Sequence, residues 1–104
     1  MSREPLYEIE ITHEADRHLS TLGAGVRRLI LDSLEARLGF EPTKENRNRK
    51  KLRPNPIAPW ELRLGQLRVY FDVEEEPRRL VRVHAVGVKD RERVLIGGEE
   101  VRLS

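Results

Sequence analysis

The stretch Trp60-Glu61-Leu62-Arg63-Leu64-Gly65-Gln66-Leu67-Arg68-Val69-Tyr70-Phe71-Asp72-Val73 decides the fold. Two alternating runs flank a Gly-X pair, which predicts antiparallel strands joined by a two-residue type II′ turn. Counting outward from Gly65-Gln66 pairs Leu64 with Leu67, Leu62 with Val69 and Trp60 with Phe71, forming one apolar face. On the other face Arg63 stands opposite Arg68, and Glu61 opposite Tyr70. Like charges directly opposed on a strand pair repel. The Arg63–Arg68 pairing therefore calls for screening by solvent or for an anion between the two guanidinium groups.

Upstream, Tyr7-Glu8-Ile9-Glu10-Ile11 alternates as a half-buried strand does. Thr12 is a good N-cap, with Glu14 and Asp16 where a helix dipole favours acids. A first helix is expected over residues 13–22, with Ala15, Leu19 and Leu22 on one face. Gly23-Ala24-Gly25 breaks it. A second helix over residues 26–38 would bury Val26, Leu29, Ile30, Ser33 and Leu34, and Gly39 and Pro42 would end it. Residues 40–58 contain Pro42, Pro54 and Pro56 and read as an irregular loop.

Downstream, the acidic turn Glu74-Glu75-Glu76-Pro77 leads to a third alternating run over residues 80–86. There Val81, Val83 and Ala85 suit the core face, while Arg82 and His84 would join the polar face of Arg63, Arg68 and Tyr70. Val94-Leu95-Ile96, Gly97-Gly98 and Val101 to Leu103 could add a small hairpin or a docked tail. The expected fold is α+β, a single domain over residues 1–104. It has an N-terminal strand, a two-helix hairpin and a three-stranded antiparallel meander, with both helices on one face of the sheet.

Composition narrows the chemistry. The absence of cysteine excludes a disulfide framework and thiolate chemistry. Three scattered histidines (His13, His18 and His84) make no metal site, so neither metal nor cofactor is expected. A charged N-terminus, and no apolar run near the ~20 residues that span a bilayer, predict a soluble, cytoplasmic chain without a membrane partner. The net charge of +2 hides an asymmetry: residues 44–68 carry eight cations against two acids, a local balance of +6, leaving −4 for the rest. Such a local field attracts polyanions. Arg47, Arg49, Lys50, Lys51 and Arg53 form the run, and Lys89, Asp90, Arg91 and Arg93 a second cluster.

An RNA phosphodiester can be cut without metal if a base takes the 2′-OH proton, cations stabilise the phosphorane and an acid protonates the leaving 5′-oxygen. The arginines suit the second role, and Glu61, His84 or Tyr70 one of the others. Tyr70 also suits packing or stacking on a base, given an ordinary phenol pKa of about 10.

Four segments together resemble the RelE/ParE toxins of toxin–antitoxin modules. They are Lys50-Lys51-Leu52-Arg53, Trp60-Glu61-Leu62-Arg63-Leu64-Gly65, Leu67-Arg68-Val69-Tyr70 and Ala85-Val86-Gly87-Val88-Lys89-Asp90-Arg91. The resemblance implies a ribosome-dependent mRNA endonuclease that inhibits translation and is held inactive by a separate cognate antitoxin. It implies that Arg63, Arg68 and Lys89 or Arg91 hold the mRNA phosphate, and that Lys50, Lys51 and Arg53 assist in binding ribosomal RNA. A lysine used by RelE-type members falls at Glu61 here, and their C-terminal tyrosine near Leu95. The alternatives are a ParE-type toxin that acts on gyrase, or a relative that binds antitoxin or RNA without cutting.

Overall fold

The computed structural model describes residues 6–101. A short strand β1 (Glu8–Ile11) leads into helices α1 (His13–Ser20) and α2 (Ala24–Leu38). Six further strands follow: β2 (Arg49–Lys51), β3 (Trp60–Leu64), β4 (Leu67–Glu74), β5 (Leu80–Asp90), β6 (Arg93–Ile96) and β7 (Glu99–Val101). All seven belong to one sheet, ordered β2-β3-β4-β5-β6-β7, with β1 added alongside β5.

This corrects the expected architecture of one N-terminal strand plus a three-stranded meander. Residues 40–58 are not wholly irregular, because Arg49–Lys51 pairs with the outer edge of β3. The third meander strand runs on to Asp90 rather than stopping at 86. The C-terminal segment is a hairpin, β6–β7; residues 102–103 of that expected tail lie outside the described residues. Every strand pair is antiparallel except β1–β5, which is parallel.

The local signals act where their chemistry places them. Thr12 caps α1, its hydroxyl accepting the Ala15 N–H at 3.2 Å. Gly23, at φ 90°, makes the break between the helices that a side chain would strain. Arg27 then clamps the two helices through Asp16 at 2.5 Å. The α2 face turned inward is Ile30, Leu34 and Leu38, whereas Leu29 is 60% exposed, contrary to the expected stripe. Val26 and Leu31, half-buried, pack beside this seam against the same core.

Each face of the sheet carries its own apolar cluster. Ala15, Leu19, Ile30, Leu34 and Leu38 from the helices pack on Trp60, Leu62, Val69, Phe71, Val81, Val83 and Val86. Trp60 and Phe71 stack across β3 and β4, with ring centroids 6.2 Å apart. On the opposite face Ala58, Tyr70, Ala85 and Ile96 pack together with Leu52, Ile57, Val94 and Val101. The face expected to be open and polar is thus partly roofed by the loop after β2 and by the curled β6–β7 hairpin.

A β-bulge in β5 explains a second correction. Tyr70 pairs with Ala85 but Phe71 pairs with Val83, which leaves His84 as the extra residue. Beyond it the alternation reverses. Ala85 therefore lies with Tyr70 on the face away from the helices, and Val86 takes the core position expected of Ala85.

Candidate nucleic-acid interface

The hairpin register is the one counted from the turn: Arg63 faces Arg68, and Glu61 faces Tyr70. Gly65 sits at φ 61° and Gln66 does not take positive φ, as a type II′ turn requires. Lys50 of β2 lies across from Glu61, so one row over three strands reads Lys50, Glu61, Tyr70.

The groups in these rows differ sharply in exposure. Glu61 is 5% exposed, Arg68 7% and Tyr70 0%. The Arg63 side chain is 42% exposed and donates from Nε to Glu61 Oε1 at 2.8 Å. A buried carboxylate is costly unless it is paired, and Arg63 is its partner. Arg68 turns back on the hairpin, with Nη1 donating to the carbonyls of Gly65 at 2.6 Å and Leu67 at 2.9 Å. The opposed guanidinium groups are therefore held by different means, one on a carboxylate and the other on backbone carbonyls.

Tyr70 is the unusual member. It is fully buried, and its hydroxyl lies near the Glu61 carboxylate without closing a well-formed hydrogen bond. Burial pushes its phenol well above the ordinary value, and the neighbouring Glu61 carboxylate pushes it further. The hydroxyl is thus a neutral group throughout the physiological range. Its ring, packed among Ala58, Ala85 and Ile96, has no free face on which a base could stack, so the expected stacking role is not available to it.

The remaining predicted residues divide into three places. Lys50 and Lys51 are exposed on β2, and Arg47 and Arg53 are exposed in the segments flanking it. Arg49 is 8% exposed and donates from Nη1 to the Arg37 carbonyl at 2.7 Å, capping the end of α2 rather than facing solvent. Lys89 is exposed, and its backbone N–H donates to the Gln66 carbonyl at 2.7 Å, beside the hairpin turn. Because of the bulge, Lys89 follows Gly87 onto the Arg68 side of the sheet. Arg91 lies farther out, in the β5–β6 turn, at φ 58°. It lines an open cavity of about 590 Å³ with Asp90, Glu92, Arg93 and Glu100.

His84 is drawn into a separate network. Its Nε2 lies 2.8 Å from Asp72 Oδ2, while Arg82 reaches Glu10 at 3.2 Å and Glu74 at 3.3 Å. This acidic end is separated from Arg63 and Arg68 by the Tyr70–Ala85 pair. Sequence reasoning missed Asp72 as the partner of His84. The signal was its place in the alternation of β4, two residues from Tyr70 and so on the same face.

The roof over Tyr70 is organised by Asn55, also missed. Its Nδ2 donates to the carbonyls of Arg53 (2.8 Å) and Ala58 (2.9 Å), and its Oδ1 accepts from the N–H groups of Ile57 (2.8 Å) and Ala58 (3.1 Å). An asparagine between two prolines was the available sign of such a turn. Among the described residues there is no cluster of histidine and acidic groups that could hold a metal ion. No helix among them is long and apolar enough to cross a membrane.

No family model matches the chain, and no curated protein matches it.

Proposed function

We propose that this protein binds single-stranded RNA through the Arg63 face of the β3–β4 hairpin. We further infer that it cuts the strand without a metal, as the toxin of a toxin–antitoxin pair acting on ribosome-bound mRNA in the cytoplasm. The observation that carries the reading is the buried Glu61 carboxylate, held 2.8 Å from the half-exposed Arg63, which itself stands opposite Arg68. A base and two cations thus share one strand pair. The toxin assignment rests on the sequence likeness to RelE-type members.

In this reading the phosphate enters from solvent against Arg63, with Lys50 and the exposed cations around β2 attracting the strand. Arg68 offers its remaining guanidinium N–H groups from the buried side. Glu61 takes the 2′-OH proton, the 2′-oxygen bonds to phosphorus, and the phosphorus–5′-oxygen bond breaks. The leaving oxygen takes a proton from the Lys89 ammonium, giving a 2′,3′-cyclic phosphate and a 5′-hydroxyl.

Induced expression followed by mapping of mRNA 5′ ends tests the reading. Codon-phased ends that vanish in Glu61→Gln support it; intact messages in cells that stop growing refute the cutting step. One observation favours binding without cleavage. Leu95, near the position of the RelE-type tyrosine, pairs with Val88 and lines a groove with Thr21 and Leu22, on the helix side of the sheet. Nothing at that position can reach a phosphate on the Arg63 face. Protection of RNA without new 5′ ends is the result that would establish this second reading.

A further inference from the structure

The free protein holds Arg63 on Glu61, yet an RNA phosphate must compete for the same guanidinium. If Arg63 turns outward, Glu61 becomes a carboxylate only 5% exposed and without its one ion-pair partner. Such a group is expensive to leave unmatched. Lys50, across from it on β2, is exposed, whereas a buried donor stands on its other side. The Tyr70 hydroxyl is fully buried, directly across the strand pair from Glu61, close to its carboxylate but in no well-formed hydrogen bond. Buried hydroxyl groups without a partner are uncommon, and each calls for an explanation.

We propose that Tyr70 is a positioning residue that receives Glu61 when phosphate takes Arg63. The carboxylate swings from the guanidinium to the phenol, which donates to it. This inference rests on the phosphate-clamp reading above and deepens it. The handover has a direct energetic effect. It offsets the cost of releasing Arg63, so anion binding is tighter than the unpaired carboxylate would allow. No atom other than the hydroxyl is required, because the ring already packs among Ala58, Ala85 and Ile96.

A binding cycle with a short 2′-O-methyl RNA, which cannot be cut, tests the handover in wild type, Tyr70→Phe, Glu61→Gln and the double variant. Free Tyr70→Phe is expected to melt close to wild type, since the lost hydroxyl had no well-formed bond. Its affinity for the RNA falls by about tenfold, the cost of one unmatched buried group. In the Glu61→Gln background the same change alters affinity by less than about twofold, because an uncharged amide no longer demands the phenol. Equal affinity of Tyr70→Phe and wild type overturns the handover. So does an equal loss in both backgrounds, which marks a packing effect. If wild type binds no RNA at all, the phosphate clamp itself is refuted, an outcome distinct from the other two.

Discussion

Arg49 and the carbonyl of Arg37 are joined by a 2.7 Å hydrogen bond that ties the edge strand β2 to the end of α2. The last carbonyls of a helix lack partners within it, and a guanidinium satisfies one while its charge suits the negative end of the helix dipole. Burial lowers the Arg49 pKa, and the nearby Glu41 charge partly restores it.

Arg49 therefore belongs to the scaffold although it lies in the basic run. Arg49→Ala is expected to cost about 2 kcal/mol in chemical denaturation, the value of a charged hydrogen bond. Lys50→Ala and Lys51→Ala, both exposed, are expected to leave stability within about 0.5 kcal/mol. Their effect falls on RNA affinity, so the two measurements separate neighbours that composition alone treats alike.

His18 fills a break in the sheet. Strands β1 and β6 both pair along the same edge of β5, β1 up to Val83 and β6 from Gly87. In the gap, Thr12 donates from its N–H to the Val83 carbonyl at 3.1 Å, and the Val86 N–H donates to His18 Nδ1 at 3.2 Å. His18 must be neutral to accept. Burial lowers its pKa; Glu14 opposes that and Arg17 adds to it. The unfolded chain then takes up a proton first as pH falls, so stability is full above about pH 6.5 and declines below it, towards the folded-state pKa. Thermal melts across that window should show a steeper loss for wild type than for His18→Gln, whose amide oxygen can accept at any pH. Parallel curves for the two proteins would remove His18 from the account.

Gly87 lies where β5 and β6 approach each other closely. A Cβ there would stand 2.7 Å from the Leu95 carbonyl oxygen and 2.8 Å from Ile96 Cγ1. Backbone cannot yield as a side chain does, so β6 must move away from β5. Gly87→Ala is expected to cost about 1–3 kcal/mol, with amide exchange accelerated first in β6 and β7. Unchanged protection there would contradict the curled packing of Val94 and Ile96 over the second face.

The hairpin was legible because a Gly-X turn and strict alternation specify register residue by residue. Both helices and β1 were legible from Thr12, Gly23 and the apolar spacing. Strand β2 was not. Arg-Lys-Lys has no apolar period, and its pairing comes from the vacant edge of β3. The bulge at His84 left no mark in the pattern, since Val83, Ala85 and Val86 are all apolar and fit either phase. This single residue decides which face Ala85 and Lys89 occupy. The site was legible as a pairing of Arg63 with Arg68, while the burial of Glu61, Tyr70 and Arg49 depended on what covers each face.

The most direct test of the phosphate clamp is the salt dependence of binding to the uncut 2′-O-methyl RNA, in wild type and Arg63→Ala. Arg63 is the half-exposed cation of the opposed pair, and its loss leaves the Arg68 turn bonds intact. The account predicts weaker binding at every salt concentration and a slope of log affinity against log salt shallower by about 0.7, one phosphate contact on a single strand. An unchanged affinity and slope would contradict it.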